Sequence, residues 1–593
     1  MCGIFSYFSN KVLTKKEILL CRKGISLLKH RGPDGKGEWF DSKKGVYIGH
    51  QRLSVIDLTS KARQPMKKKK HVLSYNGEIY NFNELKNKLK KNNIGFFSNS
   101  DSEVLLSLWQ KKGISSLNYL DGMFAFVIWD GVNGWIARDK FGEKPIYYAY
   151  AENGIFISSE LGALVKVLNK KKSLSKKLTA SFLSLGYIPS PNTAYKNIFM
   201  LNPASYLKIS KGKVKKKIKY FNIKKTLKKI PRKEKINKKF INKFHDELIN
   251  SVQSRLYSDA PKCLFLSSGI DSSLIASIIS KELNVDIPCI TIGFKNQYDE
   301  SINSKKIAQY LKLPHHISKY NLKQKTSVND VINLFKQPND NLNIVSVKKM
   351  SKIAKKRKFK VGITGNGGDE LTQGYLTQQF INKYKNLYKF PEQIRKSITF
   401  LLYPFKNFNN KINLYKDIFG VDNIFLYIAL KNNPQIRILK EIPGFKEWCR
   451  ETFKNFNSDN LYEQVSNFDL EDVMPNNRLI CFDMGSMSEG VELRSPFLNY
   501  KLFEIYQNIN PKFIDEKNPK YLLKEILKKY LPEKLIFDYK KGFVYPLTQF
   551  IKKNKISDNK LKINQKNFIS KNKKDYSWQK IIIRKRILER FFQ

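Results

Sequence analysis

The stretch from Lys262 to Thr364 limits the fold more than any other part of the chain. Lys262–Leu266 reads as a strand and Ser272–Leu283 as a helix. Pro288–Gly293 reads as a strand, Ser301–Leu311 as a helix and Lys358–Thr364 as a third strand. Strands that alternate with helices are joined in parallel, and the crossovers cover both faces of the sheet. Loops that follow such strands gather at one edge, where ligands bind. Two of these loops are built from small residues, and each carries an aspartate: Leu266-Ser267-Ser268-Gly269-Ile270-Asp271-Ser272-Ser273 and Thr364-Gly365-Asn366-Gly367-Gly368-Asp369-Glu370.

Small residues let the backbone approach an anion, and serine hydroxyls with the first N–H groups of a helix donate hydrogen bonds to it. The first loop lacks the Walker pattern of a P-loop. It resembles the pyrophosphate-binding S-G-G-x-D-S loop of ATP pyrophosphatases, with Ser268 at the second position. Asp271 is a candidate magnesium ligand, because hard cations prefer carboxylate oxygen. Two Asp-bearing turns at one sheet edge could clamp a single magnesium–pyrophosphate unit.

At 593 residues the chain is too long for one core. Residues 1–205 read as short strands and turns with two helices, near Tyr80–Lys91 and Ser102–Trp109. His71–Tyr75 is strand-like, Asn76-Gly77 is a turn signal, and Gly122–Trp129 is a buried strand. Lys211–Lys239 holds 15 basic residues and one acid, and reads as a connector with one strand at Lys215–Phe221. From about residue 375 onward the chain reads as mainly helical, and no internal repeat is found.

No apolar run approaches the roughly 20 residues of a membrane span, and no basic-then-apolar leader opens the sequence, which reads as cytoplasmic. The six cysteines are scattered without a C-x-x-C pair. The net charge of +58 is nearly all lysine and is spread along the chain. AT-rich codon usage accounts for that pattern, so no specific nucleic-acid partner is expected.

Cys2 follows the initiator methionine, and methionine aminopeptidases accept a small residue there. Exposed as the first residue, Cys2 carries a thiol nucleophile and an α-amine (ordinary pKa about 8) that can act as its base.

With these residues together, the chain resembles glutamine-dependent asparagine synthetases over nearly its whole length. Cys2-Gly-Ile-Phe matches the family's nucleophile segment and His30-Arg31-Gly32-Pro33-Asp34 its early signature. Gln51-Arg52-Leu53-Ser54, Tyr75-Asn76-Gly77-Glu78-Ile79-Tyr80-Asn81 and Ser100-Asp101-Ser102-Glu103 match its glutamine pocket, in the family's order. The resemblance implies that Arg52 pairs with the α-carboxylate of glutamine. It implies that Asp101 holds the α-ammonium with Glu78 nearby, and that Asn76 and Gly77 form the oxyanion hole. It places Leu266, Ser267, Ser268, Gly269, Asp271, Ser272 and Thr364 around the ATP phosphates, with Ile292 and Gly365 near the adenosine. It implies that Asp369 joins Asp271 on magnesium. Val491-Glu-Leu-Arg494-Ser-Pro-Phe-Leu matches a family segment, so Arg494 is expected to face substrate or phosphate. Lys540, before Gly542 and Phe543, matches a lysine that meets phosphate charge.

The implied fold has two domains, α/β and α+β. A four-layer αββα amino-terminal-nucleophile glutaminase spans 2–205, and a basic connector spans 206–239. A doubly wound parallel α/β ATP pyrophosphatase with a helical extension spans 240–593. The implied substrates are glutamine, ATP and aspartate, with magnesium as cofactor, and family members are often homodimers. One position departs from the family. Where relatives carry S-G-E-G, this chain has Thr364-Gly-Asn366-Gly, and Asn cannot take a proton as a carboxylate can. The amidated carboxylate is therefore aspartate or another acid, such as a nucleotide-linked uronic acid.

Overall fold

The computed structural model describes the chain except residues 1, 295–298, 321–326, 373–389, 402–441, 455–460, 511–512, 514–519, 538–549, 552–553 and 555–575. Among the described residues the first domain is built on two six-stranded sheets. One runs β10 (Ile198–Met200), β8 (Tyr147–Ala151), β9 (Gly154–Ser158), β1 (Gly3–Ser9), β3 (Val46–Arg52), β2 (Gly35–Asp41). The other runs β12 (Lys213–Lys219), β11 (Ser205–Ser210), β7 (Gly134–Arg138), β6 (Gly122–Trp129), β5 (His71–Ile79), β4 (Met66–Lys68).

The two sheets bury one shared layer. Ile4, Phe8 and Ile48 of the first meet Val72, Val127 and Ile136 of the second. Their outer faces carry helices. Phe5, Tyr7 and Tyr47 pack with Cys21 and Ile25 of helix Lys15–Ser26, and Leu73, Tyr75 and Phe126 pack with Leu85 and Leu105 of helices Phe82–Lys90 and Asp101–Lys112. This is the four-layer αββα arrangement.

Local readings differ in three places. The described part of the first domain holds five helices rather than two, because Lys15–Ser26, Leu161–Val167 and Lys176–Leu185 are also helical. Asn76-Gly77 is not a turn: β5 runs through it, with Asn76 opposite Ala125 and Gly77 opposite Phe124. Pairing with β6 along the whole strand outweighs the local turn preference. The connector holds two strands rather than one: β12 matches the strand expected at Lys215–Phe221, and β11 precedes it, both extending the second sheet from β7. β12 is an edge strand whose lysines keep it soluble and unpaired on its outer side.

The second domain is a five-stranded parallel sheet in the order β15 (His315–Tyr320), β14 (Cys289–Phe294), β13 (Lys262–Phe265), β16 (Val361–Ile363), β17 (Glu492–Arg494). Neighbouring residues of β13 face opposite cores. Leu264 packs on the side of helices Lys238–Leu256 and Ile270–Lys281, while Cys263 and Phe265 pack on the side of helix Asn343–Lys356. The order reverses between β13 and β16, and the two small-residue loops leave those two strands at the switch point. β17 lies in the stretch read as mainly helical, whose other named elements are helices.

The domains are tied by polar contacts. Arg31 makes a two-pronged pair with Asp483 at 2.9 and 3.1 Å, and Lys360 meets Asp34 at 2.7 Å. The Tyr187 hydroxyl donates to Asp472 at 2.6 Å. Arg584, in the helix Tyr576–Phe592, donates to the carbonyls of Leu183 and Ser184 and pairs with Asp340.

Candidate active sites

Cys2 sits at the entry to β1, between the two sheets, and is 7% exposed. Its Sγ lies 3.9 Å from the Leu53 carbonyl, and its backbone N–H donates to Asn76 Oδ1 at 2.8 Å. That bond orients the Asn76 amide and leaves Asn76 Nδ2 buried without a hydrogen-bond partner. A donor held in this way beside a nucleophile suits an oxyanion. Gly77 is required where it stands: a Cβ would lie 2.1 Å from the Met123 carbonyl oxygen, on a φ of +155°. Burial pushes the Cys2 thiol up, and the nearby Arg52 charge works against it.

Arg52, at the end of β3, donates to the carbonyls of Thr59 (2.8 Å), Ile56 and Asp57, which hold the 56–59 loop around it. Asp101 opens helix Asp101–Lys112 and is buried. Its carboxylate accepts from the Tyr75 hydroxyl at 2.7 Å and the Ile79 N–H at 3.1 Å. Burial raises it to about 6 despite those bonds. Glu78 lies on the same strand as Asn76 and is 3% exposed. The structure thus brings Cys2, Arg52, Asn76, Gly77, Glu78 and Asp101 to one end of the β3 and β5 strands.

Arg494, expected to face substrate or phosphate, lies at the contact between the two domains. Its guanidinium is fully buried and bonds Glu492 and Glu78, each at 2.7 Å, with the carbonyls of Arg255 and Tyr257. A buried guanidinium requires compensating charge, and a carboxylate from each domain supplies it.

In the second domain Leu266 continues β13, its N–H bonding the Ile290 carbonyl at 3.0 Å, and Ile292 is buried on β14. Ser267 and Ser272 share hydroxyl hydrogen bonds across the first loop, and Gly269 caps helix Ile270–Lys281. Ser268 is 5% exposed. The second turn lies directly on the first. A Cβ at Gly365 would come within 2.9 Å of the Ser272 nitrogen, and one at Gly368 within 2.6 Å of Asp271 Cγ. Thr364 is fixed to β17, its N–H donating to the Arg494 carbonyl at 2.9 Å.

Asp271 and Asp369 therefore face one space, and Lys520 joins them. Its Nζ lies 2.7 and 2.6 Å from the two Asp271 oxygens and 2.9 Å from Asp369. Sequence reasoning missed Lys520, because in so lysine-rich a chain no local signal separates it from its neighbours. Two carboxylates fit magnesium, which keeps water and phosphate oxygens for its remaining positions. Lys540, with Gly542 and Phe543, lies outside the described residues.

Comparison with known proteins gives two family models. The glutamine amidotransferase domain model matches residues 1–221 and the asparagine synthase model residues 243–591. A putative glutamine-hydrolysing asparagine synthetase of Methanocaldococcus jannaschii is 31% identical over 530 residues, covering 82% of this chain and 98% of the relative. Asparagine synthetase 1 of Bacillus subtilis is 28% identical over 572 residues, covering 93% and 88%. Asparagine synthetase B of Escherichia coli is 28% identical over 488 residues, covering 77% and 79%.

Proposed function

The chain belongs to the asparagine synthase family, and on that premise we propose that it is a glutamine-hydrolysing asparagine synthetase, a carbon–nitrogen ligase. Glutamine binds with its α-carboxylate on Arg52 and its α-ammonium on Asp101 and Glu78. The Cys2 thiolate, its proton taken by the Cys2 α-amine once Met1 is removed, attacks the side-chain amide carbon. Asn76 Nδ2 and the Gly77 N–H stabilise the oxyanion. The tetrahedral intermediate expels ammonia and leaves a γ-glutamyl thioester, which water hydrolyses to glutamate.

In the second site the loops at Ser267–Ser272 and Thr364–Gly365 hold ATP, with Leu266 and Ile292 beside them. Asp271 and Asp369 would hold magnesium, which when bound offsets phosphate charge. The β-carboxylate of aspartate attacks the α-phosphorus, expelling pyrophosphate. Ammonia then displaces AMP from the acyl-adenylate and gives asparagine. Lys520 is placed to meet phosphate charge, and Lys540 takes that role by resemblance.

One observation carries the reading. A single strand, β17, reaches both sites: the Arg494 side chain bonds Glu78 in the glutamine pocket, and its carbonyl holds Thr364 at the head of the nucleotide turn. On this reading ammonia made at one site is used at the other, across the contact that β17 forms. The described cysteines are all free, which agrees with a reducing cytoplasmic setting, and no helix among the described residues is long and apolar enough to cross a membrane. The reading needs no nucleic acid. It allows a homodimer, the usual state of the family.

The test is Cys2→Ala. Glutamine-driven synthesis is expected to vanish while ammonia-driven synthesis continues; unchanged use of glutamine refutes the assignment. Intact mass of the purified protein is expected to show loss of Met1. A second reading follows from Asn366, in the nucleotide turn where relatives carry Glu: the same chemistry on another carboxylate, such as a nucleotide-linked uronic acid. AMP release in the presence of aspartate or sugar acids decides between them, and no turnover with aspartate selects the second.

A further inference from the structure

Arg494 belongs to the second domain, yet the group it meets on the far side of the interface is Glu78, two residues from Asn76. Four of the five guanidinium N–H donors are spent: Nε on Glu492, one Nη2 hydrogen on Glu78, and both Nη1 hydrogens on the carbonyls of Arg255 and Tyr257. The group is fully buried, so each of these directions is fixed.

Glu78 is in a poor position to stay ionised alone. Burial pushes its carboxyl well above the ordinary range, and Arg494 opposes that rise while Asp101 and Glu492 add to it. Arg494 is the cation that faces it, and its Nη2 fixes one oxygen of the group at 2.7 Å. We infer that Arg494 is a positioning residue of the glutamine site, lent by the second domain: it holds the Glu78 carboxyl group in place for the α-ammonium of glutamine. Lysine cannot substitute, because its three tetrahedral donors do not match two carboxylates and two carbonyls at once.

The inference rests on the proposed glutamine site, and the test separates the two. Glutaramic acid is glutamine without its α-amine. Glutamate or glutarate release is measured for both compounds with wild type, Glu78→Gln, Arg494→Gln and the double variant. Wild type is expected to prefer glutamine through KM. Each single variant is expected to lose at least about tenfold of that preference, as when one partner of a buried charge pair is removed. The double variant is expected to lose no more than either single one, since both changes disable the same carboxylate.

If Arg494→Gln keeps the preference, or if the two losses multiply, Arg494 serves only the interface and the inference falls while the glutamine site stands. If Glu78→Gln keeps the preference, the assignment of Glu78 to glutamine falls as well. Should Arg494→Gln fail to fold, Arg494→Lys combined with Glu78→Gln reads the same coupling.

Discussion

Asp101 shows how much one buried carboxylate can set. Burial holds it near 6, well above the ordinary aspartate value, so it is charged at neutral pH and loses its charge in mildly acid solution. Only the charged form attracts an ammonium group. kcat/KM for glutamine is therefore expected to fall more steeply as pH drops through about 6, where loss of the Asp101 charge adds to protonation of the Cys2 α-amine. Asp101→Asn is expected to lower kcat/KM throughout and remove that added steepness, and a pH profile of glutamate release checks both. That the Asp271 and Asp369 turns would meet was legible from two small-residue loops after parallel strands. The partners of Arg31 and Arg494 were not. Arg31 meets Asp483 across 452 positions, a separation at which one sequence carries no local signal.

At the scale of elements, the nucleotide site depends on how closely two turns approach. The small residues of both turns were readable as loops after strands, and the strand order explains why they meet. Sequence did not reveal that Gly368 has no room for a side chain. Gly368→Ala would place a Cβ 2.6 Å from Asp271 Cγ, so the carboxylate must move. ATP-dependent turnover is expected to fall at least about tenfold, the scale of a displaced metal-site group, with glutamine hydrolysis retained; measuring both activities on one preparation checks this. Lys520→Met is expected to weaken ATP binding, read by titration calorimetry, because the phosphates lose a cation. The reading that failed here was Asn76-Gly77. Its turn preference is real in isolation, but β5 has a partner along its full length, and that pairing decides.

The whole molecule is one body because charges buried in one domain are answered from the other. Arg31 is 0% exposed and bonds Asp483, Glu160 and the Cys2 carbonyl. Arg31→Ala leaves two buried carboxylates without their guanidinium, which costs about 3–5 kcal/mol. The thermal midpoint is expected to drop and glutamine-driven synthesis to fail. An unchanged midpoint would show that the interface does not need the pair.

A cut in the backbone between the two halves would leave Arg31, Glu78 and Tyr187 on one fragment and Asp483, Arg494 and Asp472 on the other. Each face then presents unanswered charge that only its counterpart fits, so the fragments would make poor independent proteins and good mates. Made separately and mixed, they are suited to reassembly. A liberated amidase half, stripped of its opposite number, would be a weak source of stray ammonia.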